Sequence, residues 1–196
     1  MNILKRIWGG VKSLYFHYQL RRASLAKRAE MLRPLFYHLG NNVELHPTYF
    51  GTEPYLISIE DNVCVASNVH FITHDVSCFR MANYLKIDKS EVDKVGCIIL
   101  KENCFIGAYS ILMPNVVIGK NAVIAAGSVV TKSVPEGEVW GGNPARFIMK
   151  TDNYAHKVYE KSSQWPWTRV KDEISQKELI RMRQDHFFKE YYKNYK

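Results

Sequence analysis

Apolar residues recur at every sixth position over much of this chain. From Leu100 to Pro135 the sequence divides into six consecutive hexads, LKENCF, IGAYSI, LMPNVV, IGKNAV, IAAGSV and VTKSVP. Each opens on an aliphatic residue: Leu100, Ile106, Leu112, Ile118, Ile124 and Val130. The fifth place is always small or β-branched, from Cys104 and Ser110 through Val116, Ala122 and Ser128 to Val134. Two more hexads start at Ile59 and Val65, a partial one at Phe71, and a shorter copy, LGNNVE, at Leu39. A period of six fits neither a helix nor simple sheet alternation. It fits a short flat strand followed by a corner, repeated three times per coil, so that the first positions stack inside a triangular prism. The fifth position then points inward near a corner, where there is room only for small side chains. The fourth place carries Asn62, Asn68, Asn103, Asn115, Asn121 and Gly127, residue types that tolerate left-handed backbone at a tight turn. The predicted fold is mainly β, a left-handed parallel β-helix over residues 39–150, and an antiparallel sandwich with evenly spaced strands is the weaker alternative.

The repeat breaks once. DVSCFRMANYLKIDKSEVDKVG follows His74, is out of phase, and predicts an extruded loop over about 75–97 of the kind that often binds ligands. Ahead of the repeat, residues 1–38 form a basic amphipathic extension. Ile3, Leu4, Ile7, Trp8, Val11, Leu14, Tyr15 and Tyr18 share one helical face, and Lys5, Arg6, Lys12, Arg21 and Arg22 lie on the charged face. Two readings stay open for it: a helix packed on the prism end or on a neighbouring subunit, and a helix lying on anionic lipid. Residues 151–196 form a C-terminal extension holding QWPWT and then a predicted helix from about Lys171.

Charge sharpens this division. The net charge of +8 comes from the ends: residues 1–38 hold eight Lys/Arg against one acid, whereas residues 39–150 hold nine against eleven. No basic stripe interleaved with stacking aromatics runs through the middle, so nucleic acid is not an expected partner. Cys64, Cys78, Cys97 and Cys104 form no CxxC pair and no metal-ligand spacing, which points to a reduced, cytoplasmic setting. The N-terminus lacks a signal-peptide cleavage pattern and no run reaches the length of a membrane span.

A neutral imidazole is suited to taking a proton near pH 7. Counting from Phe71, His74 occupies the outward fourth place of its hexad, beside the insertion. The hexads, NVHFITHD around His74, the tract AAGSVVTKSVP and the following GGNPARFI together resemble the hexapeptide-repeat acetyltransferases, which include galactoside, maltose and xenobiotic O-acetyltransferases and polysaccharide-modifying enzymes. The resemblance covers about residues 39–150. It implies an acetyl-CoA-dependent O-acetyltransferase that assembles as a homotrimer, with His74 as general base in a cleft between subunits and no metal. It places the pantetheine arm of the donor along the backbone near Ala108 and Ala126, the nucleotide end near Thr131 and Lys132, and a phosphate near Arg146. A solvated lysine and a salt-bridged arginine are the plain readings of the last two. On the acceptor side, sugar-modifying members carry an Asn where this chain has His46, so the acceptor need not be shared. Tyr49 and Asp75 are placed with His46 as acceptor contacts, and the partner of the second His74 ring nitrogen is not identified.

The implied acceptor is a sugar hydroxyl, on a cell-surface polysaccharide or its precursor, reached by a cytoplasmic enzyme at the inner membrane face. An amino-sugar N-acetyltransferase or a serine-type acetyltransferase is the alternative within acyl transfer. Further away stand a non-catalytic scaffold and a γ-class carbonic anhydrase, which needs three histidines around zinc, of which His70 and His74 would be two.

Overall fold

In the computed structural model, residues 14–191 are described, and the apolar face expected from Ile3 to Val11 lies outside them. The chain divides into two compact units, one ending at Thr151 and one beginning at Asp152.

The first unit is a parallel coil that visits three sheets in turn. One sheet is formed by β1 (His38–Leu39), β3 (Ile57–Ile59), β6 (Ile98–Leu100) and β9 (Val116–Ile118). The second runs from β2 (Glu44–Leu45) through β4 (Cys64–Val65), β7 (Phe105–Ile106) and β10 (Val123–Ile124) to β12 (Glu138–Gly141) and β13 (Arg146–Lys150). The third contains β5 (His70–Phe71), β8 (Ile111–Leu112) and β11 (Val129–Val130). Every pairing between these strands is parallel except β12 with β13. The register joins the hexad openings in columns: Ile59 to Leu100 to Ile118, Val65 to Ile106 to Ile124, and Phe71 to Leu112 to Val130. These openings are buried to within 3% exposure, and the fifth-place residues Cys104, Ser110, Val116, Ala122, Ser128 and Val134 are buried too.

The corners behave as the fourth places require. Asn42, Asn62, Asn68, Asn103, Asn115 and Asn121 all have φ between 52° and 63°, and Gly127 has φ 72°. Their side chains also ladder between coils, with Asn42 Nδ2 donating to Asn62 Oδ1 at 2.8 Å and Asn103 Nδ2 to Asn121 Oδ1 at 2.7 Å. Tyr109, at the same place, adopts φ 61° without that chemistry.

The start of the coil is capped by helical residues 14–22, called α1, and by α2 (Leu25–Leu32), whose N-cap Ser24 accepts from the Lys27 N–H. Leu20, Ala29 and Leu32 join the core, whereas Leu14, Tyr15 and Tyr18 are exposed. Part of the extension therefore packs on the prism end through residues other than the three expected. In the second unit, α4 (Thr151–Ser163) was not anticipated, because its polar sequence has no apolar stripe. The helix expected from about Lys171 is α5 (Gln176–Gln184); it starts later because Ser175 supplies the N-cap, accepting from the Glu178 N–H. Trp167 is buried there, stacked on Trp165 at 5.5 Å. Among the described residues no helix is long and apolar enough to cross a membrane.

Candidate active site

β5 ends at Phe71, Thr73 turns inward, and His74 stands at the following corner with 20% of its side chain exposed. Here the chain leaves the coil. His74 pairs antiparallel with Val95, the Asp75 N–H donates to the Lys94 carbonyl, and the Gly96 N–H donates to the Thr73 carbonyl, each at 2.9 Å. The register confirms the detour: Ile59 reaches its neighbour Leu100 after 41 residues, whereas Leu100 reaches Ile118 after 18. The extruded segment contains α3 (Cys78–Leu85), and its Phe79 ring packs edge-on to His74 at 5.9 Å.

Asp75 closes this neck. Its Oδ2 lies 2.5 Å from Lys94 Nζ and its Oδ1 accepts from the Ser77 N–H at 3.0 Å. The lysine foremost, and Ser77 with it, hold the Asp75 carboxyl down at about 2. Both Asp75 oxygens thus help to anchor the loop.

The partner of His74 that sequence reasoning did not find is Glu53. Its Oε1 lies 3.0 Å from His74 Nδ1, and its Oε2 accepts from the Thr52 hydroxyl at 2.5 Å and the Thr73 hydroxyl at 3.2 Å. The Thr52 hydrogen bond above all, with those from His74 and Thr73 added, outweighs burial and lowers the Glu53 carboxyl below its ordinary value. Glu53 is thus ionised at neutral pH and can only accept, which assigns a proton to Nδ1. Nε2 is buried and, among the described residues, has no hydrogen-bond partner, although Asp93 Oδ1, from the extruded segment, stands 3.5 Å away.

Glu53 reaches His74 because of Gly51. At φ +81° the glycine bends the 51–53 segment onto the third sheet, and a Cβ there would lie 2.9 Å from the Phe71 carbonyl oxygen and 3.3 Å from Thr73 Oγ1. The signal in the sequence was slight: an acid in GTEP, at a break between hexad runs.

The donor-side candidates fall along the third sheet. Thr131 and Lys132 follow β11 on the same edge as His74, two coils on, roughly 10 Å along the stack. Both are exposed, and Lys132 has no ion-pair partner among the described residues. Ala108 and Ala126 occupy the opposite edge of that sheet, where the Gly127 N–H donates to the Ala108 carbonyl at 2.8 Å. Beyond β11 the segment 142–145, with a cis Asn143–Pro144 peptide, continues the sheet. There the Val129 N–H donates to the Gly142 carbonyl at 3.0 Å and the Ala145 N–H to the Val129 carbonyl at 2.8 Å. Arg146 follows, exposed, donating to the Ala145 carbonyl at 2.9 Å. It meets no carboxylate among the described residues, so the salt-bridged reading of this arginine does not hold.

His46 and Tyr49 line a separate hollow together with Thr48, Ser67 and His70, and His74 is not in its walls. Among the described residues no third metal-ligating side chain joins His70 and His74.

Residues 97–132 match the family model described as bacterial transferase hexapeptide (six repeats). Protein CapG of Staphylococcus aureus is 38% identical over 155 residues, covering 76% of this chain and 84% of CapG. The chain belongs to the hexapeptide-repeat acetyltransferases. Another member, a galactoside O-acetyltransferase of Lactococcus lactis, is 30% identical over 152 residues, 68% of this chain and 72% of the relative. Among solved structures, a maltose O-acetyltransferase from Clostridium difficile superposes with a TM-score of 0.53 at 26% identity, covering 69% of this chain and 82% of that one. Family membership thus accounts for the hexads that build the coil.

Proposed function

We propose that the protein is a homotrimeric, left-handed β-helical enzyme that transfers the acetyl group of acetyl-CoA to a sugar hydroxyl, with His74 as general base. The observation that carries this reading is the His74–Glu53 pair, which presents an unpartnered Nε2 on a rigid corner. Glu53 fixes the tautomer and balances the charge that develops on the ring; Nε2 takes the acceptor's hydroxyl proton as the oxygen bonds to the acetyl carbon. The carbon–sulfur bond then breaks and His74 returns that proton to the departing sulfur. Such a base contributes about 10²–10⁴ in rate.

Ala108 and Ala126 expose backbone against which an amide-rich arm can lie closely, and Thr131, Lys132 and Arg146 supply hydroxyl and unpaired positive charge for the nucleotide and phosphates. A neighbouring subunit would complete the cleft over the open side of His74. The acceptor assignment leans on the galactoside and maltose enzymes among the relatives; an amino-sugar or serine acceptor is the second reading. The basic residues 1–38 favour a precursor of a cell-surface polysaccharide met at the cytoplasmic membrane face. Equal flotation with anionic vesicles with and without those residues would refute that last clause.

Thermal unfolding with acetyl-CoA is the direct test. At 100 times Kd the donor should add about 2.7 kcal/mol of stability. Lys132→Ala and Arg146→Ala should shrink that shift. His74→Ala should keep it while losing CoA release with sugar acceptors. No shift at saturating acetyl-CoA would overturn the donor assignment.

A further inference from the structure

Linear spacing of the cysteines suggests no metal site, but the coil assembles one candidate that spacing hides. β2 buries Leu45, so the residues on either side of it, Glu44 and His46, face outward together. The parallel register sets Cys64 directly beside Glu44, and because Val65 is the buried residue of β4, Cys64 faces outward as well. A carboxylate oxygen, a ring nitrogen and a thiol sulfur thereby come within 4.8 Å of one another on two adjacent coils. Cys64 Sγ is 3.7 Å from Glu44 Oε2. Among the described residues this is the one such group of three metal-ligating side chains.

We infer that Glu44, His46 and Cys64 form a binding site for zinc, independent of the acetyl-transfer site. The chemistry of the donors selects the ion. One imidazole, one thiolate and one carboxylate suit zinc, with a water completing a tetrahedron; magnesium and calcium prefer oxygen ligands throughout. The backbones of Glu44 and Cys64 are one rung apart, and His46 follows Glu44 by two residues on the same face of β2, so the three donors converge from adjacent coils. The nearby cation, Arg28, is engaged elsewhere: its Nη1 donates to the carbonyls of Leu45 and His46 at 3.0 and 2.8 Å. Bound zinc would tie the first coil to the second across residues 20 apart in sequence. It would do so at β2, the outermost strand of its sheet.

Cobalt(II) titration of the full chain, followed by absorption, tests this, with zinc competition giving the affinity. The expected result is one cobalt per chain, intense visible bands of tetrahedral geometry, and a near-ultraviolet sulfur-to-cobalt band. Cys64→Ser should abolish the sulfur band. Each of Cys64→Ser, His46→Gln and Glu44→Gln should weaken zinc by about tenfold or more, since even partners outside the ligand shell are worth that much. Cys97→Ser, which removes an exposed thiol elsewhere, should change nothing. Circular dichroism of the metal-free variants guards against misfolding, and zinc protection of Cys64 from alkylation in the unmutated chain gives a second reading. Octahedral cobalt without a sulfur band, zinc affinity unmoved by the three substitutions, or zinc lost on His74→Ala instead would each overturn the site.

Discussion

Replacing Glu53 with Gln isolates the charge behind His74. The amide keeps the size and leaves an oxygen for Thr52 and Thr73, so the 51–53 segment stays in place, but Nδ1 now faces a neutral group at 3.0 Å. A hydrogen bond to a charged partner contributes about 1.5–3 kcal/mol, against about 0.5–1.5 for a neutral one. The difference, about 1–1.5 kcal/mol as positive charge grows on the ring, corresponds to roughly five- to tenfold in rate. CoA release followed with a thiol reagent should show kcat down by about that range, with the KM for acetyl-CoA and the donor-induced thermal shift unchanged. Glu53→Asp, one methylene shorter, should fall between. The pH dependence follows from the sign of the Glu53 shift: its folded carboxyl lies below the ordinary 4.5, so its pairing with His74 is fully present above that value. It is lost only as pH falls through the lower folded value, and no loss of the pair is expected between pH 5 and 8. A kcat for Glu53→Gln within about twofold of the unmutated enzyme would refute the assignment.

Gly51→Ala should cost about 1–2 kcal/mol for left-handed backbone and push the Glu53 segment off the third sheet, so both melting temperature and kcat should drop. Tyr109→Asn should do the opposite for stability, raising it by about 1 kcal/mol in denaturant unfolding, because Asn accepts the φ of 61° that Tyr109 holds. Asp75→Asn should open the neck, seen as faster proteolysis within 78–92 with little change in the melting of the coil. In the unmutated chain the Asp75–Lys94 contact, whose carboxyl is depressed, should hold above pH 3.8 and fail as pH falls toward about 2. Ile106→Ala, at a fully buried stacking position, should cost about 2–5 kcal/mol.

The coil was legible in the sequence because stacking is unforgiving: each rung repeats the same cross-section, so Leu100, Ile118 and their like must recur at a fixed interval. The asparagines at the corners were legible for the same reason. His74 stood out through its place in the hexad and beside the break in the repeat. Glu53 did not, since it comes from outside the repeat and meets His74 through one glycine bend, a contact across 21 residues that no periodicity encodes. Asp75 shows the converse: next to His74 in the sequence, its carboxylate is turned by the antiparallel neck toward Lys94. The cluster of Glu44, His46 and Cys64 was hidden for a related reason, because register between coils, not distance along the chain, sets which side chains are neighbours.

The narrow exit at Thr73 and return at Gly96 make the extruded segment modular. The two strands that cross there are tied to each other, so whatever lies between them hangs from the prism without entering its register. Closing a flexible loop costs only about 0.6 kcal/mol more for each doubling of its length. A chimera that exchanges residues 76–93 for a longer or shorter segment should therefore keep the melting temperature of the coil within a few degrees, and the wall facing His74 can be rewritten while the prism beneath it stays the same.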